Sequence, residues 1–290
     1  VVQMLMQQTR VAYWQAVGAQ QLQAQIAPLL EQAEQALGDS QAIEKQGLKD
    51  PLQSLGYQRE LLSLVLQLES IRDELAQAKP KLASIMNLEP GKPFELAVPG
   101  DFAEPELAIA PEKMEETALL NRPELIEASY NERIGLNETH KAMAKLLPGI
   151  ELSVGAHYDS NDFLVNNEWR DAGPQVSWNL LNLLNAKHIK AAAKAQYDLA
   201  HEQRLALNMA VLTQVHVAYI DYTSRKQQFE WTQQLNAVEQ RILEHTRNAT
   251  AAQAQGKLTE IRAATSALMA KLKLYQSYAA YQGAYGQMIA

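Results

Sequence analysis

The chain contains no cysteine, which removes disulfides, thiolate metal sites and cysteine nucleophiles from consideration. It has no apolar run near the ~18 residues that a membrane-crossing helix requires. Its longest apolar-rich stretch, Leu61 to Leu68, is too short. A membrane β-barrel stays open, because barrel strands are short and alternate in polarity, leaving little trace in bulk hydropathy. Basic residues are outnumbered 26 to 33, for a net charge of −7, and no basic stripe offsets the excess. Nucleic acid is therefore not expected as a partner. No basic segment leading into an apolar core opens the sequence. The most informative absence lies between Pro174 and Gly256, where neither glycine nor proline occurs. Those residues punctuate helices most reliably.

Chemistry-bearing patterns are equally scarce. The six histidines (His140, His157, His188, His201, His216 and His245) show no metal-ligand spacing. There is no Gly-x-Ser-x-Gly, phosphate loop or dinucleotide fingerprint. The carboxylates read as solvated faces and ion-pair rows of long helices. No catalytic, cofactor-binding or metal-binding residue is assigned, and an enzyme is not expected.

What is present is helix. The breaker-free region predicts one helix from about Ala186 to Gln255, ~100 Å long at ~1.5 Å per residue, returning after Gly256. Val1 to about Asp39 reads as another, with Trp14, Val17, Ile26, Ala33 and Leu37 recurring on one face. A turn around Gly47, closed by Asp50-Pro51, leads to a helix reaching about Asn87. Its Leu64, Leu68, Ile71, Leu75, Ala78, Leu82 and Ile85 alternate spacings of four and three, a heptad seam. The pair forms an antiparallel hairpin.

A linker of different composition follows, with Pro90, Pro93, Pro99, Pro105 and Pro111 among many acidic residues, and it reads as extended. Helix resumes near Pro111, and a longer one starts at Pro123 and ends at Pro148. The expected segments are thus 1–88 (hairpin), 89–121 (linker and short helices), 122–148 (helix), 149–184 (strand pair) and 185–290 (long hairpin).

From Gly149 the period changes to two. Ile150, Leu152, Val154, Ala156 and Tyr158 point one way, Glu151, Ser153, Gly155 and His157 the other. After a polar loop from Asp159 to Glu168, a second strand over 175–181 carries Val176, Trp178 and Leu180 on one face. Gln175, Ser177 and Asn179 take its opposite face. Each strand is near the length that crosses a bilayer when tilted. An isolated two-stranded hairpin is marginal at best, so these strands call for partners the chain does not contain.

The order of elements also repeats. Val11-Ala12-Tyr13 recurs as Val217-Ala218-Tyr219, each followed by a long amphipathic run, a Gln-Gly turn (Gln46-Gly47, Gln255-Gly256) and a return helix. On this alignment Val1 falls opposite Leu207, inside the second repeat's long helix. The first repeat then lacks its counterpart of roughly 122–206, and the alignment predicts an N-terminally truncated chain.

Asn-Arg-Pro-Glu-Leu at 121–125, a helix ending Lys-Leu-Leu-Pro-Gly-Ile-Glu-Leu-Ser at 145–153, two strands, a very long helix and a glycine-tipped return resemble the TolC-type outer-membrane efflux channels. The resemblance implies a mainly α fold of very long antiparallel hairpins. It also implies a strand pair contributing to a trimeric outer-membrane β-barrel, with a periplasmic helical tunnel. The implied function is a passive exit duct of a tripartite efflux or type I secretion system. Implied partners are two further copies (a homotrimer), a periplasmic adaptor (membrane fusion) protein, an inner-membrane pump and outer-membrane lipid. In such a barrel Ile150, Leu152, Val154, Val176, Trp178 and Leu180 would face lipid. Glu151, Ser153, His157, Gln175, Ser177 and Asn179 would face the lumen. Tyr158, Phe163, Trp169 and Trp178 could form an aromatic girdle. The turns would be periplasmic tips, with Gly47, Leu48, Asp50, Gly256, Lys257 and Glu260 serving adaptor docking and the gate. Glycine at positive φ would reverse the chain there. The competing reading is a soluble coiled-coil scaffold or adaptor without transport, whose apolar strand face would lie under a core.

Overall fold

The computed structural model describes residues 2–46, 50–89, 91–105, 107, 109–161, 163–252 and 256–289. Its elements are α1 (Val2–Lys45), α2 (Pro51–Ile85), α3 (Pro111–Asn121), α4 (Pro123–Ala144), β1 (Gly149–Tyr158), β2 (Glu168–Ser177), α5 (Leu180–Leu184), α6 (Ala186–Ala251) and α7 (Lys257–Met288). The breaker-free stretch is the 66-residue helix α6, as its composition predicts. Gly47 and Gln255, which the sequence places at the turns, lie outside the described residues. The chain divides into two compact units, one of residues 1–109 and 216–290, the other of 110–215.

In the first unit α1 and α2 pack antiparallel through the heptad seam. Leu61 and Leu64 meet Ala33 and Ala36, while Leu68, Ile71, Leu75 and Leu82 join Leu22, Ile26 and Leu30 in one apolar cluster. Helix α1 runs past the expected stop at Asp39 to Lys45, carrying Pro28 inside it. Packing of Ala33 and Ala36 outweighs the weak propensity of Gly38-Asp39-Ser40. Helix α2 ends in a Schellman motif. Asn87 takes φ 54°, and the Leu88 N–H donates to the Ala83 carbonyl at 2.9 Å.

Helix α7 packs antiparallel on α1 at close range. A Cβ built on Gly18 would stand 2.7 Å from the Tyr275 Cβ, and one on Gly283 would stand 2.7 Å from a Val11 methyl. Gly18→Ala is therefore expected to destabilise the unit by about 1–3 kcal/mol through overpacking. A shifted denaturation midpoint would register this, and an unchanged midpoint would refute the close approach. Against α2, α7 runs parallel and in register. Glu60 pairs with Arg262, Gln67 donates to the Met269 sulfur, and Gln276 donates to Glu74, each at a separation of 202 residues. The two return helices of the sequence repeat thus meet once per heptad.

The proline-rich linker lies across these helices, and several of its carbonyls accept hydrogen bonds from their side chains. Lys79 donates to the Phe94 carbonyl, the Gln20 amide pairs with both backbone groups of Leu96, and Tyr13 donates to Ala97. Tyr278 donates to Ala103, and Tyr222 and Tyr281 both donate to Pro105. Phe102 sits among Trp14, Phe229, Tyr275 and Tyr278, with ring centroids 4.7–6.0 Å away. Burial pushes the Tyr281 hydroxyl well above its ordinary pKa, and the nearby Tyr222 hydroxyl adds to the shift, so Tyr281 remains a neutral donor.

The second unit holds α3, α4, the strand pair, α5 and the first part of α6. Helix α4 starts on Pro123, as expected, with Arg122 as its N-cap. It runs antiparallel to α6: the Thr139 hydroxyl lies 3.1 Å from the Ala193 carbonyl, and Gly135 faces Tyr197.

Candidate functional site

The strands pair antiparallel over ten positions, from Gly149↔Ser177 to Tyr158↔Glu168. The second strand therefore starts at Glu168, earlier than its composition suggests. Pro174 is accommodated opposite Leu152, because each strand of a two-stranded ribbon keeps a free edge. It also ends earlier, at Ser177, which corrects the placement of residues 178–181. Trp178 lies past the strand and donates its indole N–H to the Leu146 carbonyl at 3.0 Å, tying the strand end to the end of α4. Asn179 caps α5, its side chain accepting from the Leu181 and Asn182 amides at 3.1 and 3.4 Å. Leu180 is the first residue of α5. An asparagine able to satisfy two amides favours a helix start over a strand.

Within the ladder the faces separate as the period predicts. Ile150, Leu152 and Val154 are paired with Val176, Pro174 and Ala172. This row is open: Ile150, Leu152 and Val154 are 77–79% exposed and Val176 is 67%. No core of the described chain covers it. The opposite row holds Glu151, Ser153, His157, Gln175 and Ser177. There the His157 Nε2 stands 2.6 Å from Asp171 Oδ1, and its ring stacks on Trp169 at 5.3 Å. Gly155 makes room for the pair, since a Cβ there would stand 2.6 Å from both atoms. Trp169 thus belongs to the polar row, whereas Tyr158 continues the apolar one. Trp169-Arg170-Asp171 does not alternate apolar with polar residues, so the sequence carries no strand signal there.

At the ends of the long hairpins the expected tip residues fall into distinct settings. Gly47 and Leu48 lie outside the described residues. Asp50 caps α2, accepting from the Leu52 amide at 3.2 Å. Gly256 precedes α7 at φ −87°, so the expected positive φ is not used there and the position is open to side chains. Lys257 lines a cleft of about 470 Å³ with Asp39, Ser40, Tyr57 and Glu60. Burial raises the Tyr57 pKa, and Asp39 adds to the shift. Glu260, in the first turn of α7, lies 3.9 Å from the Arg247 Nε.

One further polar cluster joins α4 to α6. Glu132 is held by His201 Nδ1 at 2.7 Å and by Arg204 Nε at 2.6 Å. The hydrogen bond from His201, supported by the Arg204 and His201 charges, keeps the Glu132 carboxyl below its ordinary pKa. A depressed carboxylate stabilises the fold above its unfolded pKa and loses that contribution as pH falls through the folded value. Helix α4 docking is thus expected to weaken below the ordinary carboxylate range, and Glu132→Gln to flatten that acid limb. A variant with the same acid limb as the parent would remove Glu132 from the linkage.

Residues 115–288 match the family model described as outer membrane efflux protein. That is more than half of the chain, and the chain belongs to this family. Among solved structures it is similar to the outer-membrane channel OprN, with 18% identity and a TM-score of 0.66 over 98% of this chain. It is likewise similar to the CmeC outer membrane channel of Campylobacter jejuni (13%, 0.71, 99%) and the outer membrane protein VceC of Vibrio cholerae (15%, 0.70, 99%). The chain spans 66%, 62% and 69% of those three chains. Comparison with curated proteins gives no match.

Proposed function

We propose that the chain is the outer-membrane component of a tripartite efflux or type I secretion system: a passive duct that carries small molecules or proteins outward without chemistry of its own. The observation that carries this reading is the strand pair. It has one uncovered row that is apolar over Ile150, Leu152, Val154, Ala172, Pro174 and Val176 and ends at Arg170 and Glu168 by the loop, one polar row and no third strand among the described residues. A barrel built from several copies, three in this reading, would bury the free edges and give the apolar row to lipid. Ile150, Leu152, Val154 and Val176 then meet lipid, and Glu151, Ser153, His157, Gln175 and Ser177 line the water-filled lumen. A soluble scaffold or adaptor would need a cover for the apolar row that the described residues do not supply. In the duct reading, 1–88 and 185–290 are the periplasmic hairpins, 89–121 the linker, 122–148 the supporting helix and 149–184 the barrel segment.

The hairpin ends are the proposed gate and adaptor surface, centred on Asp50, Gly256, Lys257 and Glu260 together with Gly47 and Leu48. Exposed ion pairs contribute only about 0–1 kcal/mol each, so a gate resting on them opens with modest effort. Asp50 also caps a helix, which makes Glu260 the cleaner test. In planar bilayers the complete channel is expected to conduct, and Glu260→Lys to raise its conductance while leaving the trimer intact. A parent channel that never conducts would sink the duct, and unchanged conductance in the variant would remove Glu260 from the gate.

A further inference from the structure

The net acidity of the chain hides a local reversal at the base of the strand pair. Residues 139–148 and 178–197 contain Lys141, Lys145, Lys187, Lys190 and Lys194, and no aspartate or glutamate. These two segments end α4 and open α6, and the ladder brings them together at Gly149↔Ser177. Lys141 and Lys145 line a cleft of about 830 Å³ with Leu147, Trp178, Leu180 and Leu181. All six are exposed, as are Leu184, Lys187, Lys190 and Lys194. Lys141 reaches Glu138, also exposed, at 3.0 Å. Among the described residues the other four lysines enter no ion pair.

This combination is unusual for a surface in water. An uncovered turn of leucines costs hydration free energy, and lysines that outnumber the acids beside them, here with Glu138 alone in reach among the described residues, repel one another. Both costs vanish against one kind of partner. Acyl chains cover the leucines, while anionic headgroup phosphates accept from the ammonium groups a few ångströms above. Trp178 suits the same boundary, its ring apolar and its N–H already bonded to the Leu146 carbonyl. We propose that this collar, centred on Lys145, Lys187, Lys190 and the leucines of α5, binds anionic phospholipid at the membrane surface where the strands enter. The proposal rests on the barrel reading for its orientation, but on charge and exposure for its chemistry.

The test is flotation of the full chain with vesicles of phosphatidylcholine alone or with one-third phosphatidylglycerol. Proteolysis afterwards reports whether β1 and β2 are protected. A preference for the anionic vesicles of roughly tenfold or more is expected, given the attraction of each lysine near an anionic surface, and high salt should diminish it. Lys145→Gln/Lys187→Gln/Lys190→Gln should lose the preference, while Lys81→Gln/Lys92→Gln/Lys273→Gln, with the same net charge, should keep it. Equal flotation of the parent with both vesicles, or equal loss in both triple variants, would overturn the collar. Preferential flotation without strand protection would keep the collar and overturn the barrel; protection without preference would do the reverse.

Discussion

Phe229→Ala is expected to cost about 3–5 kcal/mol of stability, the range for truncating a fully buried aromatic residue. Phe229 is 1% exposed, with its ring 5.0 Å from Tyr278, 5.7 Å from Phe102 and 5.9 Å from Tyr281. The substitution opens a cavity where α6, α7 and the linker meet. Rigid neighbours cannot close it, because Tyr278 and Tyr281 are held by hydroxyls bonded to the Ala103 and Pro105 carbonyls. Tyr281→Phe removes one such bond and keeps the ring. It should cost only about 0.5–1.5 kcal/mol, since Tyr222 still donates to the same carbonyl. Adding Tyr222→Phe leaves Pro105 without either tyrosine donor, so the pair should cost more than the sum of the singles. Denaturant midpoints at unchanged m-value would measure all three. A Phe229→Ala cost below that of Tyr281→Phe would mean that the linker is not packed against these helices.

Much of the helical framework was legible in the residues, because periodicity reports which face is buried. The seam of Leu64, Leu68, Ile71, Leu75, Ala78 and Leu82 is apolar at alternating spacings of four and three, and all six are buried, while Ile85 at its end is only partly so. The 66-residue α6 follows from the absence of anything that could end it. The strand faces were equally readable, since a period of two assigns every residue once the strand is recognised. Strand ends were not. Whether Asn179 continues a ladder or caps α5 depends on two amides becoming available, a competition that alternation does not encode. Tertiary support extended α1 past Gly38-Asp39-Ser40 for a similar reason. The linker's partners could not be read at all. Its proline content announced an extended chain, but tyrosines as distant as Tyr222 and Tyr281 accommodate its carbonyls. The basic collar escaped because a net charge of −7 averages over the chain, whereas the lysines meet only when α4 and α6 are brought together by the strands.

Val154→Arg in the complete channel is expected to cost about 2–4 kcal/mol of barrel stability, and Ser153→Arg far less. The two residues are neighbours on β1, one ~3.3 Å rise apart, so depth in the bilayer is matched and only the face differs. Val154 pairs with Ala172 in the open apolar row near the middle of the ladder, and Ser153 pairs with Gly173 in the polar row. If the apolar row meets lipid, arginine at 154 places a guanidinium in hydrocarbon near the midplane, which carries the stated cost. At 153 the same side chain reaches lumen water. It gives up only the bond from the Ser153 hydroxyl to the Gly173 carbonyl, at 3.2 Å. Gly173 has no atom within 4 Å of where a Cβ would stand, so the space opposite Ser153 can accept a longer side chain. Urea unfolding of the vesicle-reconstituted protein reads both changes. A soluble scaffold makes a different prediction, because the apolar row in the described chain already stands in solvent. There both arginines would be tolerated alike, and equal tolerance would count against a lipid-facing row. The reverse ranking, with Ser153 the costlier position, would place the polar row against the membrane and invert the assignment of lumen and lipid.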